Sequence, residues 1–419
     1  MIPERLFELA FLYKKARLWK RLWDSQIFGV RFSDGEIGYC CVMGMMGELN
    51  AIAVYPGQSG LDSLRILHDA PAPEDELASM EKIHSEDCLM LSFNNKSRLN
   101  ARDLEDVAAY CRRNGIDYPL RGKNAYPQFE RFRPGYVRWF MEDEADQRRM
   151  IEALEAAIAV SDRLALEMKT PEMLGLFEGA PYDREIPLLT RADAAYRWEA
   201  FPLPPRAPVE WPPIVIDDEL SLARLQKAPR KGEWAIRLFR FVNPLTDSSQ
   251  EDVSFDELTK PPFYPWAMLI VEIKTGFVLS SVLCDDPEDY TQFFGMKLTE
   301  AVANFGMPKR IVVLDDCTEQ AMRRFCDQFG VRLERKKRCK ALTEALNSLL
   351  AHMTAEEEDD GPDDLLGETM EMLRQPDVVA ALPDEFLKMI FTATKPSDFP
   401  EDVYDMLHKE GIRRGLLRK

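Results

Sequence analysis

Several patterns that would point to a particular chemistry are absent from this chain. It has eight cysteines but no pair spaced C-x-x-C, and only four histidines, so we expect neither a zinc site nor disulfides. No apolar run approaches the roughly 20 residues that a membrane-spanning helix needs. Neither G-x-G-x-x-G nor G-x-x-x-x-G-K-S/T occurs, so the glycine-rich loops that commonly hold nucleotide phosphates are missing.

The first residues do not have the pattern expected of a secretion signal, and the chain has no excess of positive charge. Its first ten residues include Glu4 and Glu8 and show no cleavable pattern, so we expect a cytoplasmic protein with reduced, buried thiols and no membrane association. The net charge of −18 disfavours non-specific attraction to nucleic acid. An unidentified protein is therefore the favoured partner, and nucleic acid is the disfavoured alternative.

What the chain does contain is enough apolar sequence for several cores. With 419 residues, 46% hydrophobic and 10% aromatic, it predicts a multidomain α+β protein. We expect an N-terminal antiparallel sheet-and-helix domain at 1–160 and a proline-rich β connector module at 161–254. We also expect an α/β domain at 255–352 and an acidic linker with a helical tail at 353–419.

The N-terminal domain is predicted from the spacing of apolar residues. Leu6 to Trp23 has helical spacing, with lysines and arginines between the apolar positions. This pattern favours a helix packed on a sheet over a basic helix on a membrane surface. Three strands forming an antiparallel meander are expected within 27–55, with a tight turn at Asp34-Gly35. Gly44 and Gly47 are interpreted as turn residues.

Two later stretches are predicted to lie outside a regular domain core. Tyr126 to Phe140 interleaves aromatic residues with arginines, which can stack bases and bind phosphates, but we favour an irregular loop fixed by its aromatics and prolines. Trp234 to Val242 alternates apolar and polar residues, which indicates an exposed strand. The arginines of the first stretch are Arg131, Arg133 and Arg138.

The segment 255–352 has a definite order of predicted elements. A hairpin runs through Met268 to Leu283 with Thr275-Gly276 at its turn, a helix ends near Phe305-Gly306-Met307-Pro308, and a strand follows at 310–314. Three acidic positions accompany these elements, and a fourth lies on the last helix, 28 residues after the third. In chain order they are Glu272, Asp315, Asp316 and Glu344.

These motifs resemble the ribonuclease H-like core of retroviral-type integrases and transposases. The resemblance implies that Glu272, Asp315, Asp316 and Glu344 would be catalytic, the first three holding Mg²⁺. That superfamily normally has aspartate first and Asn-Gly after the second carboxylate, whereas this chain has Glu272 and Asp316-Cys317.

We therefore favour a non-enzymatic interaction or regulatory protein, without a cofactor, built partly on a degenerate ribonuclease H-like scaffold. The alternative is a magnesium-dependent nuclease or nucleotidyl transferase that uses this carboxylate cluster.

A basic cluster in the same segment is a candidate anion-binding site. Its residues are Arg335, Lys336, Lys337 and Arg338. Several cations so close together could bind a phosphate backbone. The alternatives are a charged edge strand that prevents aggregation and a contact surface for the acidic run at 356–364.

The whole chain, more broadly, resembles an uncharacterised bacterial family that joins two domains of unknown function. The N-terminal part of the resemblance rests on Phe28 to Gly47, on Pro127-Gln-Phe129 and on Arg133-Pro-Gly-Tyr136. The C-terminal part is the integrase-like segment. The resemblance implies no activity.

Overall fold

The computed structural model describes most of the chain as two sheets and ten α-helices. The described residues are 2–47, 49–69, 76–166, 185–193, 195–247, 253–357 and 401–416. They form two compact units, Met1–Thr343 and Glu344–Lys419. No helix within these ranges is both long enough and apolar enough to cross a bilayer.

The first sheet has eight strands in the order β6-β5-β4-β3-β2-β1-β7-β8. Neighbouring strands are antiparallel, except that β1 and β7 are parallel. The predicted meander of the first three strands is confirmed. The strands are β1 Phe28–Arg31, β2 Ile37–Met43, β3 Asn50–Pro56, β4 Cys88–Asn94, β5 Tyr126–Phe132, β6 Trp139–Phe140, β7 Glu185–Ala192 and β8 Ala195–Pro202.

Five helices accompany this sheet. They are α1 Glu4–Ala16, α2 Gly57–Asp69, α3 Glu76–Ile83, α4 Ala101–Arg113 and α5 Glu144–Leu166. Leu6, Leu9 and Tyr13 of α1 are almost fully buried in the core, so this helix packs inside the protein, as favoured over the membrane-surface alternative. The side chain of Asn100 accepts a hydrogen bond from the Asp103 amide at 2.8 Å and thereby caps α4.

The second sheet has five strands in the order β11-β10-β9-β12-β13. Strands β9, β10 and β11 form an antiparallel meander, and β12 and β13 run parallel to β9. The strands are β9 Trp234–Arg240, β10 Trp266–Glu272, β11 Val278–Cys284, β12 Arg310–Val313 and β13 Arg332–Arg335. The remaining helices are α6 Glu219–Lys227, α7 Thr291–Phe305, α8 Asp316–Phe329, α9 Lys340–Glu357 and α10 Glu401–Arg413.

Strand β9 differs from its prediction both in its burial and in the sheet to which it belongs. Trp234 to Phe239 are all buried, because β9 lies between β10 and β12 in the centre of the second sheet. The prediction of an exposed strand is therefore wrong. Strands β7 and β8 belong to the first sheet, so the residues at 161–254 supply strands to both sheets.

The stretch from Tyr126 to Phe140 is not an irregular loop, since it contains β5 and β6. The short strand β6 pairs only with Glu130 and Arg131 of β5, so Pro127 lies outside this pairing.

The C-terminal predictions are only partly within the described residues. The last predicted helix, at 401–408, corresponds to α10. The predicted helices at 365–373 and 384–392, and most of the acidic run at 356–364, lie outside the described ranges. All eight cysteines are free thiols, and seven of them are buried.

Candidate functional site: a cationic groove

The structure does not bring Glu272 together with Asp315. Glu272 pairs with Trp234 at the beginning of β9, and Trp234 pairs with Ile311 near the beginning of β12. Asp315 follows the other end of β12, so the two carboxylates lie at opposite ends of the second sheet. Strands β10 and β12 are not neighbours, because β9 lies between them.

Two of the predicted carboxylates hold local backbone structure. Glu272 Oε2 accepts hydrogen bonds from the amide and the hydroxyl of Thr275, both at 2.7 Å, and so closes the β10–β11 turn. Burial acts to raise the pKa of Glu272, but these hydrogen bonds hold it below its ordinary value. Asp315 Oδ1 accepts from the Thr318 amide at 2.7 Å and caps α8.

The other two carboxylates do not join a cluster either. Asp316 forms an ion pair with Arg335, and Glu344 is an exposed residue of α9. Over the described ranges there is no group of three or more histidine, cysteine, aspartate or glutamate side chains that could hold a metal ion.

The predicted anion-binding cluster is partly neutralised by its own neighbours. Arg335 pairs with Asp316 and lies 3.7 Å from Glu319, and Lys336 lies 3.7 Å from a carboxylate oxygen of Glu334. Strand β13 is an edge strand, which agrees with the charged-edge alternative. The remaining two cations, Lys337 and Arg338, are exposed.

The arginines of the aromatic-basic stretch are also paired with acids. Arg131 lies 2.7 Å from Asp87 and 3.2 Å from Asp146. The other two arginines make longer ion pairs, Arg133 with Asp146 at 3.8 Å and Arg138 with Glu130 at 3.5 Å. Arg131 in particular serves as an internal counter-ion and is not available to a phosphate.

An open groove of about 1120 Å³ beside the C-terminal end of α1 has a different character. We call it the cationic groove. Basic residues from the helix, from the turn that follows it and from the loop before β5 line it, together with the glycine turn at 44–47. These basic residues are Lys14, Lys15, Arg17, Lys20 and Lys123.

Four of the five cations are free to meet a ligand. Lys15, Arg17, Lys20 and Lys123 are exposed, and none of them makes an ion pair with any acid in the described part of the chain. Lys14 instead has a structural role. Its Nζ donates to the carbonyl of Asn124 at 2.7 Å and lies 5.1 Å from the centre of the Phe93 ring, and burial lowers its pKa.

Local chain geometry explains why these cations converge. Basic residues in the last turn of α1 interact favourably with the negative end of the helix dipole. Arg17 ends the helix in the left-handed conformation, with φ 51°. A short 3-10 turn then buries Leu18 and Trp19, which leaves Lys20 on the surface. Lys123 approaches from a segment about a hundred residues further along the chain.

The lining of the groove also includes a glycine turn that carries two methionines. Gly44 has φ 129°, and a Cβ there would lie 2.4 Å from the carbonyl oxygen of Leu49, so this position requires glycine. Met46 is 74% exposed. Methionine is flexible and polarisable and adapts to irregular apolar partners, so the groove combines cations with an adaptable apolar contact.

Two family models match parts of the chain, and neither carries a described function. Residues 4–175 match the family model described as Domain of unknown function (DUF7309), and residues 221–350 match Domain of unknown function (DUF6930). Neither the curated proteins nor the solved structures gave a match. The cationic groove lies within the first match and the second sheet within the second, so the chain joins two domains of unknown function.

Proposed function

We propose that this chain is a non-enzymatic interaction protein that binds an acidic, partly apolar segment of a partner protein in the cationic groove. One observation carries the proposal. Four exposed cations that make no ion pair with an acid in the described ranges surround one open groove, although the chain as a whole has a net charge of −18. Such a local reversal of charge favours a negatively charged partner at this place.

The lining of the groove favours a peptide over a nucleic acid. Single-stranded nucleic acid is usually bound by cations together with exposed aromatic rings. Of the two aromatic residues in this lining, Trp19 is only 5% exposed, and the Phe11 ring is partly buried and stacks on Tyr110. The exposed apolar side chain is instead Met46. Arginine is the residue best suited to bidentate phosphate contacts, and Arg17 is the only arginine among the five cations.

The strand order of the second sheet supports the non-enzymatic part of the proposal, in which this sheet is a degenerate ribonuclease H-like scaffold. Such a sheet has three antiparallel strands, with two parallel strands added beside the first, and β9 to β13 follow this order. Strand β9 takes the position of the first strand, where the fold carries its first catalytic carboxylate. It contains no aspartate or glutamate, and its charged residues are Arg237 and Arg240.

The test measures binding of a labelled peptide by fluorescence anisotropy. The probe is a synthetic peptide of about twelve residues in which glutamates alternate with leucines. We expect the parent chain to bind it and the variant Lys15→Glu/Lys20→Glu to bind at least about tenfold more weakly, a loss of about 1.4 kcal/mol. Both positions are exposed, so the variant should fold normally.

A matched control is the variant Lys337→Glu/Arg338→Glu, which makes the same charge change on another surface. It should bind the peptide as the parent does. Equal loss in both variants would mean that only total charge matters, and the groove proposal would be wrong. Binding of a single-stranded oligonucleotide of the same length, without binding of the peptide, would also contradict it.

A further inference from the structure

A second cavity, far smaller than the cationic groove, lies between the beginning of α4 and strand β5. It has a volume of about 310 Å³, at the lower end of the range for small-molecule sites. It carries opposite charges and an aromatic wall within the same small volume. We call it the charged cleft, and the residues that matter are Arg98, Asp103, Glu130, Trp139 and Phe255.

Glu130 is a buried carboxylate without adequate partners in the protein. The residue is 8% exposed, and its nearest cation is Arg138 at 3.5 Å, whose own side chain is 62% exposed. No hydrogen-bond donor from the described residues reaches it. A buried charge normally needs hydrogen bonds as well as a counter-ion, so this carboxylate is suited to a donor supplied by a ligand.

Asp103 provides a second carboxylate that is held in a fixed position. Its Oδ2 accepts a hydrogen bond from Gln128 Nε2 at 2.8 Å. The orientation of Gln128 is in turn set by Asn94, whose Nδ2 donates to Gln128 Oε1 at 2.9 Å and to Ser92 Oγ at 2.9 Å. This chain of hydrogen bonds prepares the acidic side of the cleft before any ligand arrives.

The other sides of the cleft are cationic and aromatic. The guanidinium of Arg98 is exposed and has neither an ion pair nor a hydrogen bond with the described residues. Phe255 is 41% exposed, and its ring packs edge-on against Trp139 with centroids 5.4 Å apart. The cleft therefore offers an anion-binding group and an apolar surface beside its two carboxylates.

We propose that the charged cleft binds a small zwitterion of amino-acid size. Its ammonium group donates to Glu130 and Asp103, its carboxylate pairs with Arg98, and its side chain packs against Phe255. Glu130 then gains a hydrogen-bond donor, and Arg98 a counter-ion, that the described residues do not supply. This site is separate from the cationic groove and from its acidic partner, so either proposal can fail without the other.

The first experiment measures thermal stabilisation of the full chain near neutral pH by each of the twenty common amino acids at millimolar concentration. We expect at least one to raise the melting temperature. Calorimetric titration then compares that amino acid with its N-acetyl and carboxamide derivatives, which each lack one charge. Each derivative should bind at least about tenfold more weakly. Stabilisation by none of the twenty, or equal binding of either derivative, would overturn the proposal.

Variants assign each charge of the ligand to a residue. Arg98→Gln should weaken binding of the amino acid but leave the weak binding of its carboxamide unchanged, because the carboxamide has no carboxylate for Arg98. Glu130→Gln should likewise leave the N-acetyl derivative unaffected. Arg121→Gln, another exposed arginine outside the cleft, is the control and should bind as the parent does. A loss in the control, or a similar loss for both ligands in Arg98→Gln, would overturn the assignment.

Discussion

At the scale of single residues, two partly buried side chains have pKa values displaced in opposite senses. The Nδ1 atom of His84 is buried and has no hydrogen-bond partner among the described residues, and its ring stacks on the Tyr264 ring with centroids 3.5 Å apart. Burial, helped by the charge of Arg240, lowers the pKa of His84 to about 4. Burial, helped by the charges of Glu130 and Asp106, raises the pKa of Asp103 to about 6.

These shifts make opposite contributions to stability between about pH 4 and pH 6. The folded pKa of His84 lies below its unfolded value of 6.5, so its contribution is present above that pH and is lost as the pH falls through 4. The folded pKa of Asp103 lies above its unfolded value of 3.8, so its contribution is present in acid and is lost as the pH rises through 6.

Single variants should separate the two contributions. His84→Phe keeps the stacking, and it should gain stability relative to the parent as the pH falls from 6.5 to 4. Asp103→Asn should gain stability as the pH rises from 4 to 6. Each gain is at most about 3 kcal/mol, since one pKa unit corresponds to about 1.4 kcal/mol. Urea unfolding at both ends of the pH range measures them.

The exposed Gln292→Ala variant, which removes no titratable group, is the control and should differ from the parent by the same amount at every pH. If the difference between His84→Phe and the parent is the same at both ends of the range, His84 does not titrate as described. The same criterion applies to Asp103→Asn.

At the scale of elements, helix α7 is packed unusually closely by the segment that precedes α6. The amide of Val215 donates to the carbonyl of Thr291 at 3.2 Å. A Cβ added at Gly295 would lie 1.9 Å from the carbonyl oxygen of Val215. This contact, and not the backbone conformation of α7, requires glycine at the position.

The sign of the change in the free energy of unfolding for one variant tests this packing. In an open helix, Gly→Ala stabilises by up to about 1 kcal/mol. Gly295→Ala should instead destabilise by about 1 to 3 kcal/mol, because the Val215 segment must move away. Gln292→Ala, at an exposed position of the same helix, should change the free energy of unfolding by less than about 0.5 kcal/mol. A more stable Gly295→Ala variant would show that the segment does not pack here.

Local patterns predicted most elements but not the order of strands in the second sheet. The hairpin of β10 and β11 and the end of α7 follow from turn residues and periodicity. The central position of β9 does not follow from such local patterns, because Arg237 and Arg240 in its sequence are typical of an exposed strand. Arg240 is satisfied inside the protein, where it donates to the carbonyls of Tyr264 at 2.8 Å and Pro287 at 3.0 Å. Long-range partners of this kind leave no local signal.

At the scale of the whole molecule, the sites combine residues that are distant in sequence. The basic side of α1 and the glycine turn were visible as patterns, but Lys123 joins the cationic groove only through the fold. In the charged cleft, Gln128 and Glu130 lie two residues apart on β5. This period-two spacing was the local pattern that could have indicated a strand there. A net charge of −18 cannot indicate where positive groups gather.

The central claim is that the second sheet is a scaffold without two-metal chemistry. The melting temperature of the full chain in millimolar Mg²⁺ or Mn²⁺, measured against the Asp315→Asn/Asp316→Asn variant, tests it most directly. Asparagine caps helices about as well as aspartate, so this variant should remain folded.

A site with functional carboxylates would be stabilised by about 2.7 kcal/mol when the ion is present at about 100 times its Kd. We predict no ion-dependent shift in either protein. A rise in melting temperature with Mg²⁺ or Mn²⁺ that the double variant abolishes would contradict the claim.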